Sequence, residues 1–342
     1  MQRLTNQVIF LTAEKIAHLG GGLVLLVAVA RFLGEEVLGI YAFVIAATAV
    51  FMPVLDAGLN SRAIVRIAGS QDWQAVFDAV AFRLRFGPWT VALMAGLAWG
   101  VGKPQEVVLV VVLVGLSTLA MSLGDAANAA FKGLLQAHYS AITVGLTNIG
   151  LVVLAIGAMS IGWGVVGVAG AYALCRVGYF VASWRILTQV APKIDLLRAV
   201  KSSREDLRQS VQFLPAVFFI GCLLHLNFLT ADWMGGGRDS GFYAIGYRLA
   251  SALFVLGGAS LEGLLAVFAK RDYAFWRSGW AFLGVGVLGV ALVQWGAEPV
   301  TLWVFGADFV EAVEAVRLLG WTLPPFLLCG LFHTVLLARG QG

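Results

Sequence analysis

Ionisable side chains are scarce in this sequence, and three cations interrupt long apolar runs: Lys15, Arg176 and Arg248. A charge at the centre of a bilayer costs roughly 2.5–3.5 kcal/mol, so it usually faces a polar cavity or a partner. Lysine offers a phosphate group a mobile point charge, and arginine offers a planar fork of donors. The three cations therefore predict either an anion-binding site, an ion pair between helices, or side chains that extend to the membrane surface.

A second set of polar side chains could carry ions or protons. It consists of Glu14, His18, Asp56, Asp125, Asn227, Asp232 and Glu262. Glu14 and His18 are four residues apart and share one helix face, where they could exchange a proton, although histidine in an apolar helix is more often a packed hydrogen-bonding group. Asp56 is expected to bind a neighbouring backbone or the loop with Arg62 and Arg66. No spacing predicts a metal site, a cofactor or a catalytic centre.

The elements that must position these side chains are membrane spans. Of 342 residues, 60% are hydrophobic and 12% are charged, and the mean hydropathy is +0.88. A soluble domain has roughly 45–50% apolar and about 25% charged residues. The composition therefore excludes a soluble enzyme, a disordered scaffold and a nucleic-acid-binding domain, and predicts an all-α polytopic membrane protein.

Hydropathy in 19-residue windows predicts about ten transmembrane helices. The expected spans are 8–31, 38–60, 86–102, 106–128, 139–160, 162–184, 210–232, 241–266, 278–296 and 315–338. Of the 23 Lys and Arg residues, 16 fall on the side that holds both termini and four on the other side. Because basic residues stay on the cytoplasmic side, both termini are predicted to be cytoplasmic in a multi-pass protein of the cytoplasmic (inner) membrane.

An internal repeat divides the chain. Gly39 and Gly241 open similar segments 202 residues apart, and Leu135 and Leu337 open a second similar pair at the same offset. An even number of helices between the copies predicts a parallel repeat. We expect an N-terminal six-helix lobe over 1–185, a cytoplasmic linker over 186–209 that is either an amphipathic helix or a solvated charged segment, and a partial C-terminal lobe of four helices over 210–342. The second lobe has four helices where the first has six, which predicts that the chain is a fragment or a shortened relative.

Several motifs carry a family resemblance. They are Phe32-Leu33-Gly34, Gly39-Ile40-Tyr41, Leu55-Asp56-Ala57-Gly58-Leu59, Gly241-Phe242-Tyr243-Ala244 and Leu302-Trp303-Val304-Phe305-Gly306. Together they resemble the oligosaccharide flippase (polysaccharide biosynthesis and export) family of the multidrug/oligosaccharidyl-lipid/polysaccharide exporter superfamily.

The resemblance implies a transporter that flips a lipid-linked oligosaccharide of the undecaprenyl-diphosphate type by alternating access, for cell-surface polysaccharide synthesis. It places Lys15 and Arg248 on helices that border a central cavity, so these two cations and Arg176 are predicted to contact the diphosphate. Asn227 stands where many relatives have Asp, and an amide does not carry a proton as a carboxyl does. The expected partners are this substrate, membrane lipids and other polysaccharide-assembly membrane proteins, with no nucleic acid.

Three alternatives remain open. A drug/cation antiporter of the same superfamily would need buried carboxylates to dominate, whereas the charges within the spans are nearly balanced. A membrane-embedded glycan polymerase or ligase would need a sizeable periplasmic loop, and the predicted loops on that side are short, so no enzyme is expected. The chain could also be an inactive truncated paralogue.

Overall fold

A computed structural model describes residues 2–191, 204–268 and 274–338, and these ranges are almost entirely helical. The helices are α1 (Gln2–Asp56), α2 (Leu59–Ser70), α3 (Gln74–Gly100), α4 (Gln105–Gly133), α5 (Ala137–Ser160), α6 (Gly164–Val190), α7 (Arg204–Phe268), α8 (Ala274–Phe305), α9 (Ala312–Gly320) and α10 (Leu323–Ala338). The predicted all-α fold is confirmed. Half of the linker expected over 186–209, residues 192–203, lies outside the described residues.

Six segments of the described chain are long and apolar enough to cross a membrane. They are Ile9–Ser70, Gln105–Gly133, Ala137–Ser160, Gly164–Val190, Leu283–Phe305 and Ala312–Phe332. Large apolar side chains such as Leu146, Val153 and Leu292 are exposed on their surfaces, which suits helices whose solvent is lipid. The chain is a multi-pass membrane protein, and the number of ten spans stays a prediction.

Two glycines bend the longest helices in the same way. Gly34 in α1 has φ 80° and ψ −179°, and Gly236 in α7 has φ 82° and ψ −176°. Only glycine adopts this region readily. A straight helix as long as α1 would measure about 82 Å, well beyond a hydrocarbon core of about 30 Å, so a sharp bend is required. The two glycines are 202 residues apart, the offset of the repeat expected from Gly39 and Gly241.

By its contacts the chain forms two compact units, Met1–Gly237 and Arg238–Gly342. The first unit includes the first half of α7, so it extends beyond the six-helix lobe expected over 1–185. The lobe and linker boundaries stay a prediction. At the centre of the first unit is α4, which contacts α1, α2, α3, α5 and α6.

A tight turn joins α1 to the amphipathic helix α2. Ala57 and Gly58 both have left-handed backbones, with φ 44° and 71°, and this ends α1 at Asp56. In α2 the residues Leu59, Ala63 and Ile67 recur every four positions and are buried. This face packs on α3 and α4, so α2 covers one end of the helices that surround it.

The second unit is built around α8, which packs against α9 and α10. A Cβ atom added to Gly286 of α8 would lie 2.8 Å from the Cα atom of Pro324, so the small residue allows the two backbones to approach closely. Exposed ion pairs join Arg238 to Glu311 and Arg317 to Glu298, at 3.1 and 3.5 Å.

Candidate functional site

A polar cavity of about 320 Å³ lies in the first unit, among α1, α2, α4 and α5. Its lining consists of Glu14, Lys15, His18, Asn60, Ile64, Met121, Asp125, Asn128, Ala129, Lys132 and Val144. Four of the residues predicted from sequence are therefore brought together here: Glu14, Lys15, His18 and Asp125. Glu14 and Lys15 are adjacent in sequence and diverge by about 100° around the helix, yet both reach this cavity.

One face of α4 supplies much of the lining. Met121, Asp125, Asn128 and Lys132 follow one another at intervals of four, three and four residues, which places them on a single helical stripe. The predicted span ended at 128, so Lys132 was expected in a loop. The helix continues to Gly133, and Lys132 therefore belongs to the cavity.

Glu14 is held by two partners from other helices. The ammonium group of Lys132 lies 2.9 Å from Oε1 of Glu14, and the hydroxyl of Ser140 donates a hydrogen bond of 2.8 Å to Oε2. Both carboxylate oxygens are therefore occupied. These bonds join α1 to α4 and α5 at the edge of the cavity.

Asp125 accepts a hydrogen bond of 2.6 Å from the hydroxyl of Tyr179 on α6. That hydroxyl accepts a further bond from the amide of Asn128. Gly124 allows the approach, because a Cβ atom there would lie 2.6 Å from Cε1 of Tyr179. Asp125 has no ion pair within the described ranges, so its carboxylate is a group of the cavity that a cationic or protic ligand could engage.

Arg83 supports the cavity from behind, a role that the sequence did not reveal. Its side chain is 1% exposed. Nε donates to the carbonyl of Leu55 at 3.1 Å, and Nη2 donates to Asp56 at 3.2 Å and to Asn60 at 2.8 Å. Since Asn60 lines the cavity, Arg83 fixes both the turn after α1 and one wall of the cavity. The sequence signal that could have revealed this role is the charge of Arg83 three residues before the expected span 86–102.

The structure corrects the partner expected for Asp56. The sequence favoured a neighbouring backbone or the loop with Arg62 and Arg66, whereas the carboxylate binds Arg83. Arg66 instead pairs with Asp72 at 3.4 Å. The physical reason is that α3 begins at Gln74, well before the expected start at 86, and therefore carries Arg83 into the helical bundle.

The other predicted cations lie outside this lining. Arg176 on α6 donates to the hydroxyls of Ser117 and Thr118 at 3.3 and 2.5 Å and stacks on the ring of Tyr172. No carboxylate pairs with Arg176 in the described part of the chain. Arg248 is half-buried in the second half of α7, which belongs to the second unit.

The remaining predicted residues are dispersed along α7. Asn227 is exposed. Asp232 is buried and paired with Lys103. The side chain of Glu262 lies outside the described residues. Within the described ranges, no three His, Cys, Asp or Glu side chains lie close enough together to bind a metal ion.

The cavity combines two ammonium groups, two carboxylates, an imidazole and two amides. Such a lining can bind an anionic group through Lys15, since Lys132 is paired with Glu14, and can hydrogen-bond polar groups through Asn60 and Asn128.

Comparisons with known proteins identify a family and a fold. A family model described as "Polysaccharide biosynthesis protein" matches residues 4–261. A multidrug resistance MATE family transporter of the MOP superfamily in its inward-facing conformation aligns with a TM-score of 0.64 and 18% identity, over 98% of this chain and 85% of that chain. The outward-facing conformation gives a TM-score of 0.60 and 18% identity, over 99% and 82%.

A MATE protein in complex with MaL6 gives a TM-score of 0.65 at 18% identity, over 99% of this chain and 83% of that chain. At this identity the likeness establishes the fold alone. No curated protein matches the sequence significantly.

Proposed function

The chain belongs to the polysaccharide biosynthesis protein family and is a multi-pass membrane protein, and from this premise we propose that it is a transporter that flips a lipid-linked oligosaccharide of the undecaprenyl-diphosphate type. The proposed membrane is the cytoplasmic (inner) membrane, the mechanism is alternating access, and the product serves cell-surface polysaccharide synthesis. Other polysaccharide-assembly membrane proteins are the proposed partners.

The observation that carries this proposal is Lys15. Its side chain is exposed on a membrane-crossing helix and borders a polar cavity. An ammonium group facing lipid would be costly, whereas one facing a cavity can bind phosphate oxygens. A lipid diphosphate supplies such oxygens and leaves its hydrocarbon tail in the bilayer.

The size of the cavity indicates which part of the substrate it admits. A volume of about 320 Å³ is near the lower end of small-molecule sites, which run from about 300 to 1,000 Å³. It suits the diphosphate and an adjoining sugar better than a whole oligosaccharide. We therefore assign the diphosphate to Lys15, with Arg248 and Arg176 as further cations of the substrate path.

Asp125 is the coupling group that the geometry favours among the predicted polar residues. It lines the cavity, and its one described partner is the neutral hydroxyl of Tyr179. Glu14, in contrast, is neutralised by Lys132. His18 borders the same cavity and is the second candidate for proton exchange.

Substitution of the cations tests the proposal. In cells that depend on this chain for surface polysaccharide, Lys15→Gln and Arg248→Gln should each reduce export at least tenfold, because the amide loses the charge that binds phosphate. Immunoblots of the membrane fraction check that protein levels are unchanged.

Arg85→Gln is the matched control, because Arg85 is exposed on α3 and outside the cavity lining. Its export should equal that of the parent chain. Normal export by both Lys15→Gln and Arg248→Gln, at normal protein levels, would remove the assigned diphosphate site.

A drug/cation antiporter is the second candidate, favoured by two carboxylates, Glu14 and Asp125, in one cavity of a MATE-like fold. Proton-driven uptake of a cationic dye into everted vesicles, abolished by Asp125→Asn, would support it. Absence of dye uptake together with loss of export in Lys15→Gln favours the flippase.

A further inference from the structure

A buried ion pair lies away from the polar cavity, at the predicted periplasmic end of the first unit. The ammonium group of Lys103 lies 2.7 Å from both carboxylate oxygens of Asp232. The side chain of Asp232 is 1% exposed and that of Lys103 is 18% exposed. Neither residue has another charged partner in the described part of the chain. The two charges therefore depend on each other.

The pair connects three elements. Lys103 lies in the turn between α3 and α4, where Gly102 has φ 79°. Its ammonium group also lies 4.8 Å from the ring centre of Phe43, in the second half of α1. Asp232 lies in the first half of α7, one turn before the bend at Gly236. One lysine thus holds α1 and α7 against the same turn.

A second contact lies beside the ion pair. A Cβ atom added to Gly39 would lie 1.7 Å from the carbonyl oxygen of Gly237, so the backbones of α1 and α7 touch here. Gly39 is one turn before Phe43, and Gly237 follows the bend after Asp232. The ion pair and the backbone contact therefore close the same end of the space between α1 and α7.

Removal of either charge would leave its partner buried and unpaired, an arrangement that typically destabilises strongly. The paired arrangement is the one that the structure shows. Separation of the pair would require both side chains to reach water.

We propose that Lys103 and Asp232 form a latch that holds the first half of α7 against the α3–α4 turn and closes the predicted periplasmic end of the substrate path. The latch opens once in each transport cycle, when the two side chains separate and become hydrated. This inference rests on the proposed transport function, since a latch is required only where access alternates.

Disulfide trapping reports the latched state without any substrate. A Cβ atom at Gly237 lies 3.7 Å from the carbonyl oxygen of Glu36, so the two backbones are adjacent, and we expect cysteines at these two positions to cross-link. The background replaces the three native cysteines, Cys175, Cys222 and Cys329, by serine. Mass spectrometry of tryptic peptides from oxidised membranes measures the yield of the 36–237 disulfide.

Charge reversal provides the test. Lys103→Asp and Asp232→Lys, each placed in the 36/237 cysteine chain, should lower the disulfide yield at least fivefold because like charges then face each other. The double variant Lys103→Asp/Asp232→Lys should restore the yield to within twofold of the parent. That recovery also shows that the chain still folds. Arg31→Asp, an exposed reversal on the same predicted membrane face, should leave the yield unchanged.

Equal yields in the single reversals and the parent would overturn the latch. A low yield in the double variant, with normal protein in the membrane, would also overturn it, because the partners would then not be specific. The export assays of Lys15→Gln and Arg248→Gln separate the two proposals: if export is normal in both variants while the reversals behave as expected, the latch stands and the assigned diphosphate site does not.

Function is tested by locking the latch. Oxidation of the 36/237 cysteine chain, which closes the 36–237 disulfide beside the latch, should block export, and a reductant should restore it within minutes. Export that continues while the disulfide is intact would show that this end does not need to open.

Discussion

At the scale of single residues, the charged groups of this membrane protein have very different partners. Lys132 and Ser140 each bind one carboxylate oxygen of Glu14, whereas the partner of Asp125 is the neutral hydroxyl of Tyr179. Arg83 is almost completely buried and binds two side chains and a carbonyl group. The bonds of Glu14 and Arg83 fix helices to one another, whereas the bond of Asp125 leaves its charge available for exchange.

Arg83 should be a major contributor to stability. Replacement of Arg83 by Met removes three hydrogen bonds and leaves the carbonyl of Leu55 and the amide of Asn60 without a donor. Because Asp56 is 42% exposed and can be hydrated, the expected loss is about 2–3 kcal/mol, less than for a fully buried pair.

Thermal unfolding of the detergent-solubilised protein measures this loss as a lowered Tm. The matched control is Arg85→Met, two residues away on the same helix and exposed. Equal midpoints for the two variants would show that the bonds of Arg83 contribute nothing to stability.

At the scale of elements, two bends shape the chain. The sequence predicted a loop over 32–37, between the first two spans, because charged residues interrupt the apolar run there. The structure makes the turn with one non-helical residue, Gly34, which joins two helical segments directly. Hydropathy locates the interruption, but a backbone conformation that only glycine tolerates decides its form.

Alanine at the bends should strain both copies of the repeat equally. Gly34→Ala and Gly236→Ala each force a Cβ atom into the same backbone region, at a cost of about 1–3 kcal/mol. Their Tm values should fall by similar amounts. Gly20→Ala, where no atom lies within 4 Å of the added Cβ, should leave the Tm unchanged or slightly raised. A Tm that falls in only one of the two bend variants would contradict their structural equivalence.

At the scale of the whole molecule, the all-α membrane fold followed from composition and hydropathy. The site was less accessible to sequence reasoning. Asp125 was evident because it is a charge in an apolar run, whereas Asn128 and Tyr179 are uncharged and were overlooked. Arg83 and Lys132 were assigned to loops because apolar windows end where helices leave the membrane, although the helices themselves continue.

The orientation of the chain is open to a direct test. The excess of basic residues predicts that the end of α2 is cytoplasmic and the turn after α5 is periplasmic. In the background free of native cysteines, Ser160→Cys should react with a membrane-impermeant maleimide in intact cells, and Ser70→Cys should react only after lysis. Both serines are exposed, so accessibility within the fold is matched. The reverse pattern would invert the predicted topology.

The bond from Arg83 to the end of α1 also has a consequence for biosynthesis. Arg83 lies 27 residues after Asp56, so the α1–α2 turn leaves the ribosome while its guanidinium partner is still inside the exit tunnel. During that interval the carbonyl of Leu55 and the side chain of Asn60 are satisfied by water. Docking of α2 therefore becomes permanent only after the start of α3 has left the tunnel, which couples the maturation of this turn to the insertion of the next span.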